Sequence, residues 1–328
     1  MEGSAAETVP DRAAGAGLHD RFRELRDELS TQVIGQAELV ERLLIALLAD
    51  GHLLVEGAPG LAKTTAVKAL ATRIEANFQR VQFTPDLLPS DVVGVSVFDR
   101  EKQEFSFRPG PVFAGVVLAD EINRASPKTQ SALLEAMAEE QVTVDGVTYP
   151  LRRPFVVIAT QNPIEHEGTY ALPESQLDRF LMRTAIGYPS PEAELDLLEN
   201  QADTPALNAL TPVADAGDLT ALVRAATSVH VAPALRRYLV DLAEASRRHP
   251  DLGLGMSPRA TLSLLRVSRV RALAAGRAFA TPDDVKALVR PVLAHRLTTS
   301  GDARLRGVST EDVLGELVDT VPIPRSPR

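Results

Sequence analysis

Leu53-Leu54-Val55-Glu56-Gly57-Ala58-Pro59-Gly60-Leu61-Ala62-Lys63-Thr64-Thr65 is the stretch from which the rest of the chain is read. Four apolar-to-acidic residues of strand type run straight into a glycine loop, and Ala66 to Arg73 continue as a helical run. A strand, such a loop and a helix in that order make successive backbone N–H groups and a helix N-terminus face a phosphate chain. Gly57 to Thr65 then form a P-loop, with Lys63 reaching the β and γ phosphate oxygens of ATP and Thr64 a ligand of Mg²⁺. One position departs from the general pattern. The second glycine is replaced by Ala62, whose Cβ narrows the conformations the loop can take there.

Working outward, Val116-Val117-Leu118-Ala119 reads as a strand that delivers Asp120 and Glu121 at its C-terminal end, about 57 residues beyond Lys63. Ligands of parallel α/β sheets bind at such ends. Asp120 is placed to hold Mg²⁺, and Glu121 to act as the base or water-orienting group for in-line attack on the γ-phosphate. An isolated Asp-Glu is often only an acidic turn; the P-loop upstream gives this pair its chemistry. Asn162, in Thr160-Gln161-Asn162-Pro163, ends the next predicted strand and can hydrogen-bond the attacking water or the γ-phosphate. Arg179, in Leu177-Asp178-Arg179-Phe180, reads by itself as a surface partner of Asp178. Arg259 lies in the first turn of a helix opened by Ser257 and Pro258, where anionic ligands are favoured and a guanidinium can clamp phosphate.

The pattern around these motifs is α/β: a parallel sheet covered by helices on both faces, with strands predicted at Leu53 to Glu56, Val81 to Phe83, Val116 to Ala119, Phe155 to Thr160 and Arg183 to Ile186. Two hairpins interrupt it. One covers roughly Val92 to Phe107; the other, 141–150, turns on Asp145-Gly146, a strong hairpin signal. After Tyr188 strand signals give way to helix starts. Ser190-Pro191, Ser257-Pro258 and Thr281-Pro282 each place a hydroxyl N-cap before a proline at the first helical position. The expected organisation is a flexible tail over 1–19, an αβα core over 20–201 and an all-helical lid over 202–328, with Ala202 to Ala216 as a flexible join.

Composition fits a globular chain, at 45% hydrophobic and 24% charged residues. A formal net charge of −9 means that nucleic-acid binding would need a local basic patch. The absence of cysteine removes disulfides and thiolate ligands and accords with a reducing compartment, so the cytoplasm is the expected location. No run is long enough to cross a bilayer. The six histidines show no ligand spacing and read as scattered surface or capping residues.

Gly57 to Thr65, Gln82 to Asp91, Asp120-Glu121-Ile122-Asn123-Arg124, Ala159 to Pro163, Leu177 to Phe180 and Ser257-Pro258-Arg259 together resemble the AAA+ ATPases, and within them the MoxR family. The likeness runs from about Val33 to Leu297. It implies an αβα P-loop core with a five-stranded parallel sheet and a helical lid, ATP with Mg²⁺ between the core and lid of one subunit, and a homo-oligomeric ring of six. It further implies Asn162 as the sensor-1 residue, Arg179 as the arginine finger offered to a neighbour, Arg259 as the sensor-2 arginine of the lid, and Val33-Ile34 as part of the segment against adenine. Ala62 is what members of this family carry. The hairpins correspond to inserts that contact substrate or partner. Members act as chaperone-like ATPases in assembling or metal-loading other proteins, with a separate von Willebrand factor A-domain protein as partner. A nucleotide-dependent switch with slow hydrolysis, and a magnesium-chelatase-like or nucleic-acid motor subunit, are the alternative functions. Arg152-Arg153 beside the second hairpin is the basic feature the last of these would use.

Overall fold

The computed structural model describes residues 12–58, 60–101, 103–162, 169–199 and 210–323. In chain order they form α1 (Arg12–Gln32), α2 (Ala37–Leu48), β1 (Leu53–Glu56), α3 (Lys63–Arg73), β2 (Phe78–Gln82), α4 (Pro89–Val93), β3 (Gly94–Asp99), β4 (Glu104–Pro109), β5 (Val116–Asp120), α5 (Pro127–Glu139), β6 (Gln141–Val144), β7 (Val147–Pro150), β8 (Val156–Gln161), α6 (Glu174–Leu177), β9 (Met182–Ala185) and α7 (Pro191–Glu199). The C-terminal part is helical: α8 (Ala216–Ser228), α9 (Pro233–Arg248), α10 (Pro258–Ala274), α11 (Pro282–Leu293), α12 (Gly301–Leu305) and α13 (Thr310–Thr320), with the small pair β10 (Leu252–Leu254) and β11 (Thr298–Thr299).

Five strands make one parallel sheet in the order β2-β5-β8-β1-β9. Because successive strand side chains point to opposite faces, the apolar runs serve two cores at once. Leu53 and Val55, Val116 and Leu118, and Val156 and Ile158 face α1, α2, α3 and the helical lid. Leu54, Val117 and Ala119, and Val157 and Ala159 face α5 and Phe180 on the other side. These are three layers, with the lid sharing the first core.

The strand bounds differ from expectation by a residue or more where polarity masks the strand. β2 begins at Phe78, not Val81: it is the edge strand, one side unpaired, and so carries Gln79, Arg80 and Gln82 without burying them. Val92 and Val93, expected in the first hairpin, close the short helix α4 instead. The hairpin itself pairs Gly94–Asp99 with Glu104–Pro109.

Two further expectations are corrected. Residues 12–19, read as part of a mobile tail, are helical, and His19 Nδ1 lies 3.3 Å from Leu273 O of the lid. Phe22, Leu25 and Leu29 of the same helix are buried, which gives the helix its reason to form. The rest of that tail, 1–11, and part of the join lie outside the described residues. Its described end is tied down: Val213 N and Ala214 N both donate to Arg73 O, and Arg73 Nη1 donates to Thr211 O at 2.8 Å. The helix starts follow the hydroxyl-proline pattern, with Ser257 Oγ accepting from Ala260 N at 3.1 Å and Ser190 Oγ accepting from Ala193 N at 3.2 Å.

Candidate nucleotide site

The loop after β1 opens a cleft of about 360 Å³ at the C-terminal edge of the sheet, lined by Gly57, Gly60 to Thr65, Arg80, Gln82, Asp120, Glu121, Thr160, Gln161 and Asn162. Its place follows from strand order. β1 lies between β8 and β9; the chain leaves β1 towards β2 on one side and leaves β8 for β9 on the other, which opens a crevice between these two strand ends. Gly57 is required by close approach: a Cβ there would meet Ile186 Cγ1 at 2.6 Å and its carbonyl oxygen at 3.0 Å. Gly60 and Ala62 both take the left-handed conformation, at φ +83° and +57°. Alanine tolerates it at a cost of about 1–2 kcal/mol, which glycine does not bear. Pro59 lies outside the described residues.

Lys63 opens α3, and its Nζ donates to Gly57 O at 2.6 Å and Ala58 O at 2.8 Å, so the ammonium is folded over its own loop. Burial pushes its pKa below the ordinary value, against the fields of Asp120 and Glu121, which favour the charged form. β5 carries Asp120 to the cleft, where Thr160 Oγ1 donates to Asp120 Oδ1 at 2.6 Å and accepts from Glu121 N at 2.9 Å. One hydroxyl on β8 thus fixes both acidic residues. Glu121 also takes a positive φ, +55°, which turns it off the strand axis towards Gln82 Nε2 (2.7 Å) and Arg124 Nη1 (2.9 Å). Asn162 follows β8 and is buried at the cleft wall.

Three residues here escaped the reading of the sequence. Thr160 reads in the sequence only as the end of a strand. Arg80 donates from Nε and Nη2 to Asp120 Oδ2, at 3.1 and 2.7 Å, and Gln82 holds Glu121. Their signal is the alternation Arg80-Val81-Gln82 on β2, which points the two polar side chains to one face while Val81 packs in the core. The register then sets Gln82 opposite Asp120.

The oxygen donors at Thr64 and Asp120 are the hard-ligand type that suits Mg²⁺. Val33 and Ile34 lie outside the lining of the cleft. Val33 is buried, and next to it Gln36 Nε2 donates to Gly187 O at 3.0 Å, joining this segment to the chain that leaves β9.

Arg179 and Arg259 are not brought to this cleft. Arg179 precedes β9, whose start is bonded to the start of β1 through Leu181 N and His52 O, 2.8 Å apart. It therefore sits at the N-terminal edge of the sheet. The cleft is at the C-terminal edge, four to six residues away along each strand, on the order of 13–20 Å. Arg259 is at the same edge. α10 runs against α2, with Arg271 paired to Glu41 at 2.6 Å and Arg266 Nη1 3.5 Å from Ala49 O, and Arg259 lies about two turns further on. There it pairs with Asp178 at 3.6 Å. Arg259 thus meets Asp178 and does not line the cleft of its own chain. Asp178 is partnered by Arg296 and Arg259, rather than by Arg179.

Two histidines are also corrected. His52 is buried, accepts from Val157 N at Nδ1 (3.0 Å) and lies 3.2 Å from Met137 O at Nε2. His295 is buried with Nε2 3.1 Å from Phe180 O. Burial pushes their pKa values down to about 4 and about 3, His295 also by the field of Arg296. His166 lies outside the described residues. Arg153 is paired with Asp50 at 2.6 Å and Glu140 at 2.8 Å, so the basic feature beside the second hairpin is largely neutralised.

Comparison with known proteins agrees with this geometry. Residues 52–182 match the model of the ATPase family associated with various cellular activities (AAA), and 244–317 that of the AAA lid domain. The chain is 45% identical to YeaC of Bacillus subtilis (strain 168) over 94% of its own length and 96% of that protein. It is 42% identical to Chaperone MoxR1 of Mycobacterium tuberculosis over 98% of its own length and 87% of the relative. A crystal structure of a protein from Cytophaga hutchinsonii superposes with a TM-score of 0.88 at 36% identity, covering 95% of this chain and 98% of that one. With a P-loop cleft at the switch point of a five-stranded parallel sheet and a helical lid behind it, this chain belongs to the MoxR family of AAA ATPases.

Proposed function

We propose that the chain hydrolyses ATP as a homo-oligomeric ring, each subunit offering Arg179 and Arg259 to the nucleotide of the next. The observation that carries this reading is the separation just described: both arginines stand at the edge of the sheet opposite their own P-loop. An arginine presented there can meet only the phosphates of another copy. Lys63 binds the β and γ phosphates, Asn162 orients water or the γ-phosphate, and Glu121 takes the proton of the attacking water. Thr64 and Asp120 would hold Mg²⁺, which when bound neutralises charge on the phosphates. Val33 and Ile34 pack towards adenine.

The work coupled to hydrolysis is read from the family as chaperone-like remodelling, assembly or metal-loading of a client, in the cytoplasm and with a separate von Willebrand factor A-domain protein. The first hairpin supports a client-facing role: Phe98 and Phe105 are exposed on it, ring to ring at 5.2 Å. Steady-state turnover against protein concentration tests the mechanism. Turnover per subunit should rise with concentration in the wild type. Arg179→Ala should lower the plateau about a thousandfold with nucleotide binding kept, and Glu121→Gln should bind ATP without turnover. Concentration-independent turnover together with an unaffected Arg179→Ala would overturn the reading.

A further inference from the structure

Arg296 follows α11 and is buried, its side chain 3% exposed, yet all five of its N–H donors have partners of which four belong to one short turn. Nε donates to Asp178 Oδ1 at 2.8 Å, Nη2 to Phe180 O at 2.8 Å and Asp178 O at 3.3 Å, and Nη1 to Leu181 O at 3.0 Å. The fifth goes back to Val292 O of the lid at 2.6 Å. A buried guanidinium is costly unless it is so satisfied, and rigid once it is. Arg179 is inside this turn. Its own side chain reaches α5, where Nη1 donates to Leu134 O at 2.5 Å. The other oxygen of Asp178 faces Arg259.

We propose that Asp178, clamped by Arg296, is a positioning residue that binds the lid to the turn bearing Arg179 and sets Arg179 and Arg259 in register for the nucleotide of the neighbouring copy. The inference rests on the reading of those arginines as acting between copies. Its physical content is that lid and finger are one body: the lid cannot turn without carrying Arg179. His295, beside Arg296, adds a second lid contact to Phe180 O.

The test is kinetic and uses the full chain at concentrations where turnover has reached its plateau. Asp178→Asn removes the charge that both arginines share. Asp178→Glu keeps the charge and moves it by one methylene. Both should lower kcat about ten- to a hundredfold, since an ångström of misplacement at a reacting group is worth that much, with ATP affinity changed less than threefold. Arg179→Ala/Asp178→Asn should lose less than the product of the two single losses, because the share of the Asp178 effect that runs through Arg179 is gone and only the share through Arg259 remains. A merely structural role would give the full product. Wild-type kcat in both Asp178 variants, or losses that multiply in the double variant, would overturn the proposal. Wild-type turnover in Arg179→Ala would instead sink the reading on which it rests.

Discussion

Thr160 shows how much a single hydroxyl can organise. Donating to Asp120 Oδ1 and accepting from Glu121 N, it fixes one carboxylate by its oxygen and the other by its backbone, and it does so while almost fully buried. Partners of this kind, one step behind the reacting groups, are worth about ten- to a hundredfold in activity or metal affinity. Thr160→Val keeps the shape and removes both bonds. Turnover is therefore expected to fall about ten- to a hundredfold while nucleotide affinity measured by fluorescence titration moves little; equal turnover would show that Gln82, Arg80 and Arg124 hold the two carboxylates without it. Ala62 makes a different point at the same scale. Its left-handed backbone is set by the loop, and the structure accepts an alanine where glycine is the easier residue.

Among elements, the two hairpins are separate in sequence and joined in space. Phe107 of β4 stacks on Tyr149 of β7, centroids 4.1 Å apart and planes at 17°, and Phe107 also meets Phe113 edge-on at 5.5 Å. Neither two-stranded ribbon has a core of its own, and an isolated hairpin is marginal in water. The stack is the contact through which each stiffens the other. Tyr149→Ala should cost about 0.5–1.5 kcal/mol beyond the area lost and lower amide protection in both hairpins. Hydrogen exchange confined to β6 and β7 would show that the first hairpin stands independently. The alternation of Phe105 and Phe107 in the sequence was enough to predict a returning strand. It could not show that one ring faces solvent and the other a second hairpin, because both positions read as apolar.

For the whole molecule, the start of the sheet is where core and lid are tied together, and that junction is sensitive to acid. His52 bridges β8 and α5, and His295 bridges the lid and Phe180; both are kept neutral by burial. Their folded pKa values, about 4 and about 3, lie below the ordinary 6.5. The folded state then binds fewer protons than the unfolded chain, so the stability is fully present above about pH 6.5 and is lost as pH falls through 6.5 towards 4 for His52 and 3 for His295. By pH 5 His52 alone accounts for about 2 kcal/mol. Thermal unfolding followed from pH 7 to pH 5 should show a falling midpoint, and His52→Gln should flatten that slope. An unchanged slope in the variant would remove His52 from this role.

What the sequence determined by itself is local and covalent. A strand, a glycine loop and a helix in succession specify a phosphate cradle, Asp120-Glu121 after an apolar run specify carboxylates at a strand tip, and hydroxyl-proline pairs specify where helices begin, because each signal lies within a few residues of backbone. Even the edge strand β2 hid its first residues only because half of it needs no burial. Tertiary structure decided what depends on distant segments meeting. The strand order set Arg80, Gln82 and Thr160 around the two carboxylates. The direction of α10 against α2 sent Arg259 to the far edge of the sheet, and the docking of the lid buried His295 and Arg296 against the turn of Arg179. No spacing along the chain records those meetings, since they are fixed by which faces are apolar and by which way each element runs when those faces pack.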